Sequence, residues 1–138
     1  MNMKKLLILL FAVGMYQTAF AQEEQVSQGP VISFAEKLYE FGVISQGDTI
    51  EHTFSFENIG TEPLKILSAR GSCGCTVPQY SKDEIAPGEK GKVFARFNSS
   101  GKSGMQNKTV TLVTNMTDVK KRQVVLTLRG RVNLVDGD

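Results

Sequence analysis

The chain has 138 residues, with 16 Lys and Arg against 14 Asp and Glu, no Trp and two Cys. This length fits one domain with its own core, and two cysteines exclude a small scaffold held together by several disulfides. Lys4 and Lys5 are the only charged residues among the first 21, so the remaining chain is neutral. It lacks the clustered Lys and Arg that nucleic-acid binding needs, and we expect no nucleic-acid partner.

Residues 1–21 have the three parts of a secretory signal peptide. A positive start at Lys4 and Lys5 precedes an unbroken apolar run over 6–13, and Ala21 ends a small-residue cleavage signal. The apolar run is shorter than the ~20 residues that a membrane-spanning helix needs. We therefore predict cleavage between Ala21 and Gln22, location in the periplasm or outside the cell, and no transmembrane segment in the mature chain. No Cys stands at this site for lipid attachment.

The remaining chain divides into a polar, flexible leader over 22–29 and a domain over 30–135. Apolar residues in the domain recur with period two, which is typical of half-buried strands. The clearest run is 49–58, where Ile50, Phe54 and Phe56 share one face. Comparable β runs occupy 31–34, 38–43, 64–68, 92–97, 109–112 and 124–132.

About seven short strands with turn residues between most of them predict an all-β fold, a single immunoglobulin-like antiparallel β-sandwich. No stretch after the signal peptide shows sustained helical periodicity, which disfavours a parallel α/β fold. We expect the core between the two sheets to be built from large hydrophobes, among them Phe54, Phe56, Phe97 and Leu126.

The motif with unusual chemistry is Cys73-Gly74-Cys75, followed by Thr76. In an extended segment both thiols point to the same side, and Gly74 allows the chain to kink. Three interpretations stay open: a structural pair that packs or forms a strained disulfide, a redox-active thiol pair, and a site for a soft ion such as Cu or Zn. Structural zinc needs four ligands, and the chain offers no second Cys pair.

His52 is the single histidine and falls on the apolar face of the 49–58 strand. It is a candidate additional metal ligand, although a partly exposed residue near a strand end is the more ordinary interpretation. A single His without an acid and a nucleophile at recognisable spacing does not make a catalytic triad. We therefore predict that the protein is not an enzyme.

Six motifs in order resemble a known family: Leu38–Ile44, Phe54–Gly60, Pro63–Ile66, Ser72–Thr76, Ile85–Glu89 and Leu128–Gly130. The family is the secreted bacterial domain of unknown function DUF1573, common in Bacteroidetes. The resemblance implies an immunoglobulin-like sandwich similar to ASH and major-sperm-protein domains, an envelope location and no established enzyme activity. In such a bacterium, Asp48-Thr49-Ile50 resembles an O-glycosylation site at Thr49; a turn that leads into a strand is the alternative.

Together these features predict an exported, non-enzymatic binding or structural module of the bacterial envelope. Its partner would be an envelope protein or surface component, since sandwiches of this kind present edge strands and end loops for recognition. The alternative is soft-metal binding or a thiol redox role through Cys73 and Cys75. In the binding or structural interpretation the protein has no cofactor.

Overall fold

A computed structural model describes residues 28–136. Two four-stranded sheets pack face to face, with strand orders β1-β3-β6-β5 and β2-β8-β7-β4. The strands are β1 Ile32–Phe34, β2 Leu38–Ser45, β3 Thr49–Asn58, β4 Ile66–Gly71, β5 Thr76–Tyr80, β6 Lys90–Asn98, β7 Gly104–Thr114 and β8 Gln123–Asn133. The predicted all-β sandwich is confirmed. Within residues 28–136 no helix is long and apolar enough to cross a membrane.

The core lies between the sheets and follows the alternation in the sequence. Phe54, Phe97 and Leu126 are completely buried and Phe56 is 2% exposed, which confirms the predicted core positions. In β8 buried and exposed residues alternate almost without interruption, as expected for a strand with one face on the core. Burial of each such side chain contributes about 1.5–3 kcal/mol to folding.

Strand β5 is the element that the periodicity did not predict. Pro78 stands in its middle, and a proline cannot donate a hydrogen bond to a neighbouring strand. The structure resolves the conflict by placing β5 at the edge of its sheet, paired only with β6. A proline there also blunts the free edge against pairing with another chain.

One pairing contradicts the predicted antiparallel arrangement. Strand β2 runs parallel to β8, from Leu38 beside Thr127 to Ser45 beside Asn133. The three residues between β1 and β2 carry the chain from one sheet to the other, so β2 joins the edge of the second sheet. Alternation reports which face of a strand is buried but not its direction, and this part of the prediction was wrong.

The predicted signal peptide, with its cleavage site between Ala21 and Gln22, and most of the predicted leader lie outside the described residues. Gly29, assigned from the sequence to the end of the leader, is buried. It donates to the Thr61 hydroxyl over 2.9 Å, and its carbonyl accepts the Thr61 N–H over 2.9 Å. Gly29 therefore belongs to the packed domain.

Candidate functional site

Three connections between strands meet at one end of the sandwich, here named the loop end: residues 46–48, 72–75 and 99–103. The Asn98 N–H donates to the Cys75 carbonyl over 3.0 Å, and the Ser99 N–H donates to the Asp48 carbonyl over 3.0 Å. Both bonds start from the end of β6. Strand β6 therefore fixes the other two connections relative to each other.

Ser99 is fully buried and holds the turn between β2 and β3. Its hydroxyl lies 2.6 Å from the Asp48 carbonyl, to which it donates, and accepts the Gly47 N–H over 3.0 Å. Gly47 has a φ of 98°, a conformation that favours glycine. Thr49, the predicted O-glycosylation residue, follows this turn and is exposed at the start of β3.

Cys73 and Cys75 are joined by a disulfide, and their Cα atoms lie 5.3 Å apart. This spacing falls inside the range of about 4.4–6.8 Å that disulfides tolerate. The stem of the connection is held separately, because the Ser72 N–H donates to the Thr109 carbonyl over 2.8 Å and the Ser72 hydroxyl accepts the Thr109 N–H over 3.1 Å. These two hydrogen bonds to β7 therefore hold the stem independently of the sulfur–sulfur bond.

The disulfide closes a very short loop, with a sequence separation of two. On the chain-entropy account such a loop contributes roughly 1.5 kcal/mol to stability, about half of what a 15-residue loop gives. Much of the local order already comes from the bonds of Ser72. The chemical reactivity of the sulfurs is therefore the more informative property of this pair.

Thr76 follows the disulfide in the sequence and is 3% exposed. Its hydroxyl oxygen is 3.9 Å from the Sγ of Cys73, and its N–H donates to the Cys73 carbonyl over 3.2 Å. Because a disulfide sulfur carries no hydrogen, the hydroxyl is the donor of the first contact. A Cβ at Gly71 would lie 2.1 Å from the Thr76 carbonyl oxygen, so this approach requires glycine at position 71.

An open cleft of about 420 Å³ lies beside the disulfide on the outer surface of β5 and β6. Arg96 is the charged residue of its lining, and its Nε is 3.6 Å from Glu51 Oε1. Both side chains are more than half exposed, so this ion pair is weak and the guanidinium remains available to a ligand. The lining consists of Gly74, Cys75, Val77, Arg96, Asn98 and Ser100.

His52 is not placed with the cysteines. Its Nε2 is 2.5 Å from Glu36 Oε1, and its ring stacks on Tyr39 with centroids 3.8 Å apart. His52 aligns across β6 with Pro78 of β5, two strands away, and Cys75 precedes Pro78 by three residues. These two offsets separate the backbones of His52 and Cys75 by roughly 14 Å. The imidazole links β3 to the segment between β1 and β2 and to β2 itself.

No group of three or more His, Cys, Asp and Glu side chains in residues 28–136 is arranged to hold a metal ion. With both sulfurs in the disulfide, Cys73 and Cys75 would first have to be reduced, because thiolates are the metal ligands. After reduction they would offer two ligands of the kind that Cu(I) and Zn(II) prefer.

Sequence reasoning identified the two cysteines but not the residues around them. Arg96 and Asn98 reach the cleft from β6, which is distant in sequence and becomes a neighbour only through the pairing of β5 with β6. Because β5 was not predicted, its pairing with β6 could not be inferred from the sequence. Thr76 was visible as the residue after the motif, but its buried contact with Cys73 required the structure.

A sequence model described as "Protein of unknown function (DUF1573)" matches residues 32–132. No match is found among curated proteins.

Solved structures share the architecture at low sequence identity. A protein of unknown function from Porphyromonas gingivalis has a TM-score of 0.64 and 15% identity, over 77% of this chain and 48% of that one. The chain thus spans about half the length of that protein. The ASH / PapD-like domain 7 of human CEP192 has a TM-score of 0.55 and 14% identity, over 76% and 87%. The secreted serine protease VesC of Vibrio cholerae has a TM-score of 0.57 and 14% identity, over 73% and 23%.

These likenesses show the fold alone, because a shared sandwich does not imply a shared function. The immunoglobulin-like, ASH-like fold that the sequence predicts is confirmed.

Proposed function

The chain belongs to the DUF1573 family, and from this premise we propose that it is an exported, non-enzymatic binding module of the bacterial envelope. The partner is an envelope protein or surface component that contacts the loop end. The observation that carries the proposal is the convergence of three hydrogen-bonded connections at one end of the sandwich, where residues 72–75 and 99–103 contribute to an open cleft. Preorganised loops lower the entropy cost of binding, and loops on a rigid scaffold are the usual place for recognition.

The cleft offers the mixture of groups that recognises an extended segment of another protein. Val77 is 51% exposed and supplies apolar surface, while Arg96 supplies a cation for carboxylate or carbonyl groups. Asn98 and Ser100 add amide and hydroxyl groups. Pro78 makes β5 a poor edge for strand addition, which favours contact through side chains over backbone pairing.

Two features support export. The signal-peptide pattern of residues 1–21 directs the chain to the envelope or beyond, with Gln22 as the first mature residue. A disulfide persists in oxidising compartments such as the periplasm and is reduced in the cytosol.

The exposed Thr49 gives a glycosyltransferase access to its hydroxyl, which supports the proposed O-glycosylation there.

The absence of enzyme activity is part of the proposal and is supported by the surroundings of His52. Its Nε2 contacts Glu36 and one ring face stacks on Tyr39, so the Nε2 side of the ring is not directed at Cys73, Cys75 or Ser72. A nucleophile and its base need to lie within hydrogen-bonding distance.

The second candidate function is a thiol redox role, with soft-metal binding by reduced Cys73 and Cys75 as its variant. The disulfide favours the redox role over the metal role, because a resting metal site needs free thiolates. Cofactor binding by Cu or Zn would follow reduction.

The binding proposal is tested by capture from envelope extract with variants of the cleft. We expect Val77→Glu to remove the proteins or glycans retained by the wild-type domain, because a carboxylate in the cleft disrupts its apolar part. Val125→Glu is the matched control, since Val125 is 47% exposed on the other sheet. Equal retention of the same partner by both variants, measured by quantitative mass spectrometry, would count against binding at the loop end.

A further inference from the structure

We propose that the Cys73–Cys75 disulfide oxidises a dithiol that enters the cleft, with Cys75 as the sulfur attacked and Cys73 as the leaving group. The inference rests on the redox alternative of the proposed function and adds a direction and a substrate class to it. It is carried by two different contacts of the two sulfur-bearing residues: Cys75 lines the cleft, and Cys73 contacts the buried Thr76 hydroxyl.

The cleft gives an incoming thiolate a route to Cys75, although both cysteines are half-buried and Cys75 also packs against the core. A thiolate in the cleft meets Cys75 beside Gly74, which has no side chain to block the approach. Cys73 is not part of the cleft lining. The Arg96 guanidinium in the same cleft attracts the anionic form of the attacking thiol, since a local cation raises the concentration of anions near it.

The Thr76 hydroxyl determines which sulfur leaves. The hydroxyl oxygen lies 3.9 Å from the Cys73 sulfur, and this long contact would shorten into a charge-assisted hydrogen bond when Cys73 departs as a thiolate. A donor placed next to the atom that gains charge stabilises the transition state in which that charge develops. Cys75 is not paired with this hydroxyl in the structure, so the stabilisation is specific to Cys73.

The exchange proceeds in two balanced steps. One thiolate of the dithiol forms a bond to Cys75 Sγ, the Cys73–Cys75 bond breaks, and its electron pair stays on Cys73. The second thiolate of the dithiol then attacks the dithiol sulfur that is joined to Cys75, and Cys75 leaves as a thiolate. The dithiol becomes a disulfide, and its two protons pass to Cys73 and Cys75. No other oxidant takes part in this single turnover.

The direction of attack is tested on the wild-type full chain with reduced glutathione, a monothiol whose first product is the mixed disulfide and which is quenched before a second exchange. After rapid acid quenching, peptide mass spectrometry is expected to find glutathione on Cys75. Glutathione mainly on Cys73 would overturn this inference while leaving a redox role standing. A disulfide that resists both glutathione and dithiothreitol would overturn the inference and the redox alternative together.

The role of Thr76 is tested by the rate of reduction with dithiothreitol. We expect Thr76→Val to slow reduction roughly tenfold, because the donor to the leaving sulfur is lost, and Thr76→Ser to restore the rate to within about twofold. Thr111→Val, on β7, is the control and leaves the rate unchanged. Circular dichroism verifies that each variant is folded, and an unchanged rate in folded Thr76→Val would contradict the assigned role.

Discussion

Replacement of Asn58 by alanine is expected to lower the free energy of unfolding by about 3–5 kcal/mol, although no metal, disulfide or catalytic group is involved. Asn58 is fully buried at the end of β3. Its Oδ1 accepts the N–H groups of Val31 and Gly60, over 3.3 and 3.0 Å. Its Nδ2 donates to the carbonyls of Glu62 and Ile85, both over 2.8 Å.

One side chain therefore bonds four backbone groups from three segments of the chain, and of these the Ile85 carbonyl also accepts the Leu64 N–H. Each group left buried without a partner costs about 1–3 kcal/mol, and water that enters the cavity recovers only part of this cost. The expected loss is a large share of the ~5–15 kcal/mol that stabilises a domain. Asn58→Asp should be worse still, because a carboxylate cannot donate to the two carbonyls and would bury a charge.

Urea unfolding followed by circular dichroism measures this effect. Asn107→Ala is the matched control, because Asn107 is exposed on β7, and a change of at most about 0.5 kcal/mol is expected there. If Asn58→Ala lowers the free energy of unfolding by less than about 1 kcal/mol, the four hydrogen bonds contribute much less to stability than expected here.

A loss of similar size is expected for Phe54→Ala, at about 3–5 kcal/mol. The Phe54 side chain is completely buried, its position pairs with Val93 across the sheet, and its ring meets His52 edge-on with centroids 4.7 Å apart. The substitution removes the ring and leaves a cavity that a sandwich with hydrogen-bonded strands cannot fully close. Thermal unfolding should show a midpoint lower by roughly 10–20 °C.

Ser55→Ala is the control on the neighbouring, outward-facing position of the same strand, and it should change the midpoint by less than about 2 °C. Equal midpoints for Phe54→Ala and Ser55→Ala would contradict the placement of Phe54 in the core.

Alternation of apolar and polar residues made much of the fold predictable. Phe54 and Phe56 share a face with Ile50 because side chains of a strand point alternately to its two sides, and the sheets bury that face. The same rule carries no information on strand direction, which is why the parallel pairing of β2 with β8 was not foreseen. Strand β5 was not predicted because a proline such as Pro78 argues against a strand unless that strand lies at the edge of a sheet. The edge position became known only from the structure.

The candidate site was predictable in its sulfur chemistry but not in its surroundings. The spacing of Cys73 and Cys75 left a disulfide, a redox pair and a metal site open, since all three need two sulfurs on one side. The Thr76 contact and the cleft with Arg96 arise from the approach of β4, β5 and β6 at one end of the sandwich. These contacts depend on the register between β5 and β6. That register could not be inferred from the sequence, because β5 itself was not predicted.

Asn58 gives a further instance of the same limit. The sequence marks it only as the start of an Asn-Ile-Gly turn, which is an ordinary use of asparagine. Its four partners include Ile85, 27 residues away, so its importance for stability follows from the packed structure.

The most direct test of the account is the intact mass of the protein recovered from the envelope of cells that produce the full chain, with and without alkylation under denaturing conditions. We expect a chain that begins at Gln22, is lighter than the reduced form by two hydrogen atoms and takes up no alkylating agent. A glycan at Thr49 would add its own mass to this value. A cytosolic chain that retains residues 1–21, or a mature chain with two alkylated thiols at Cys73 and Cys75, would contradict the account.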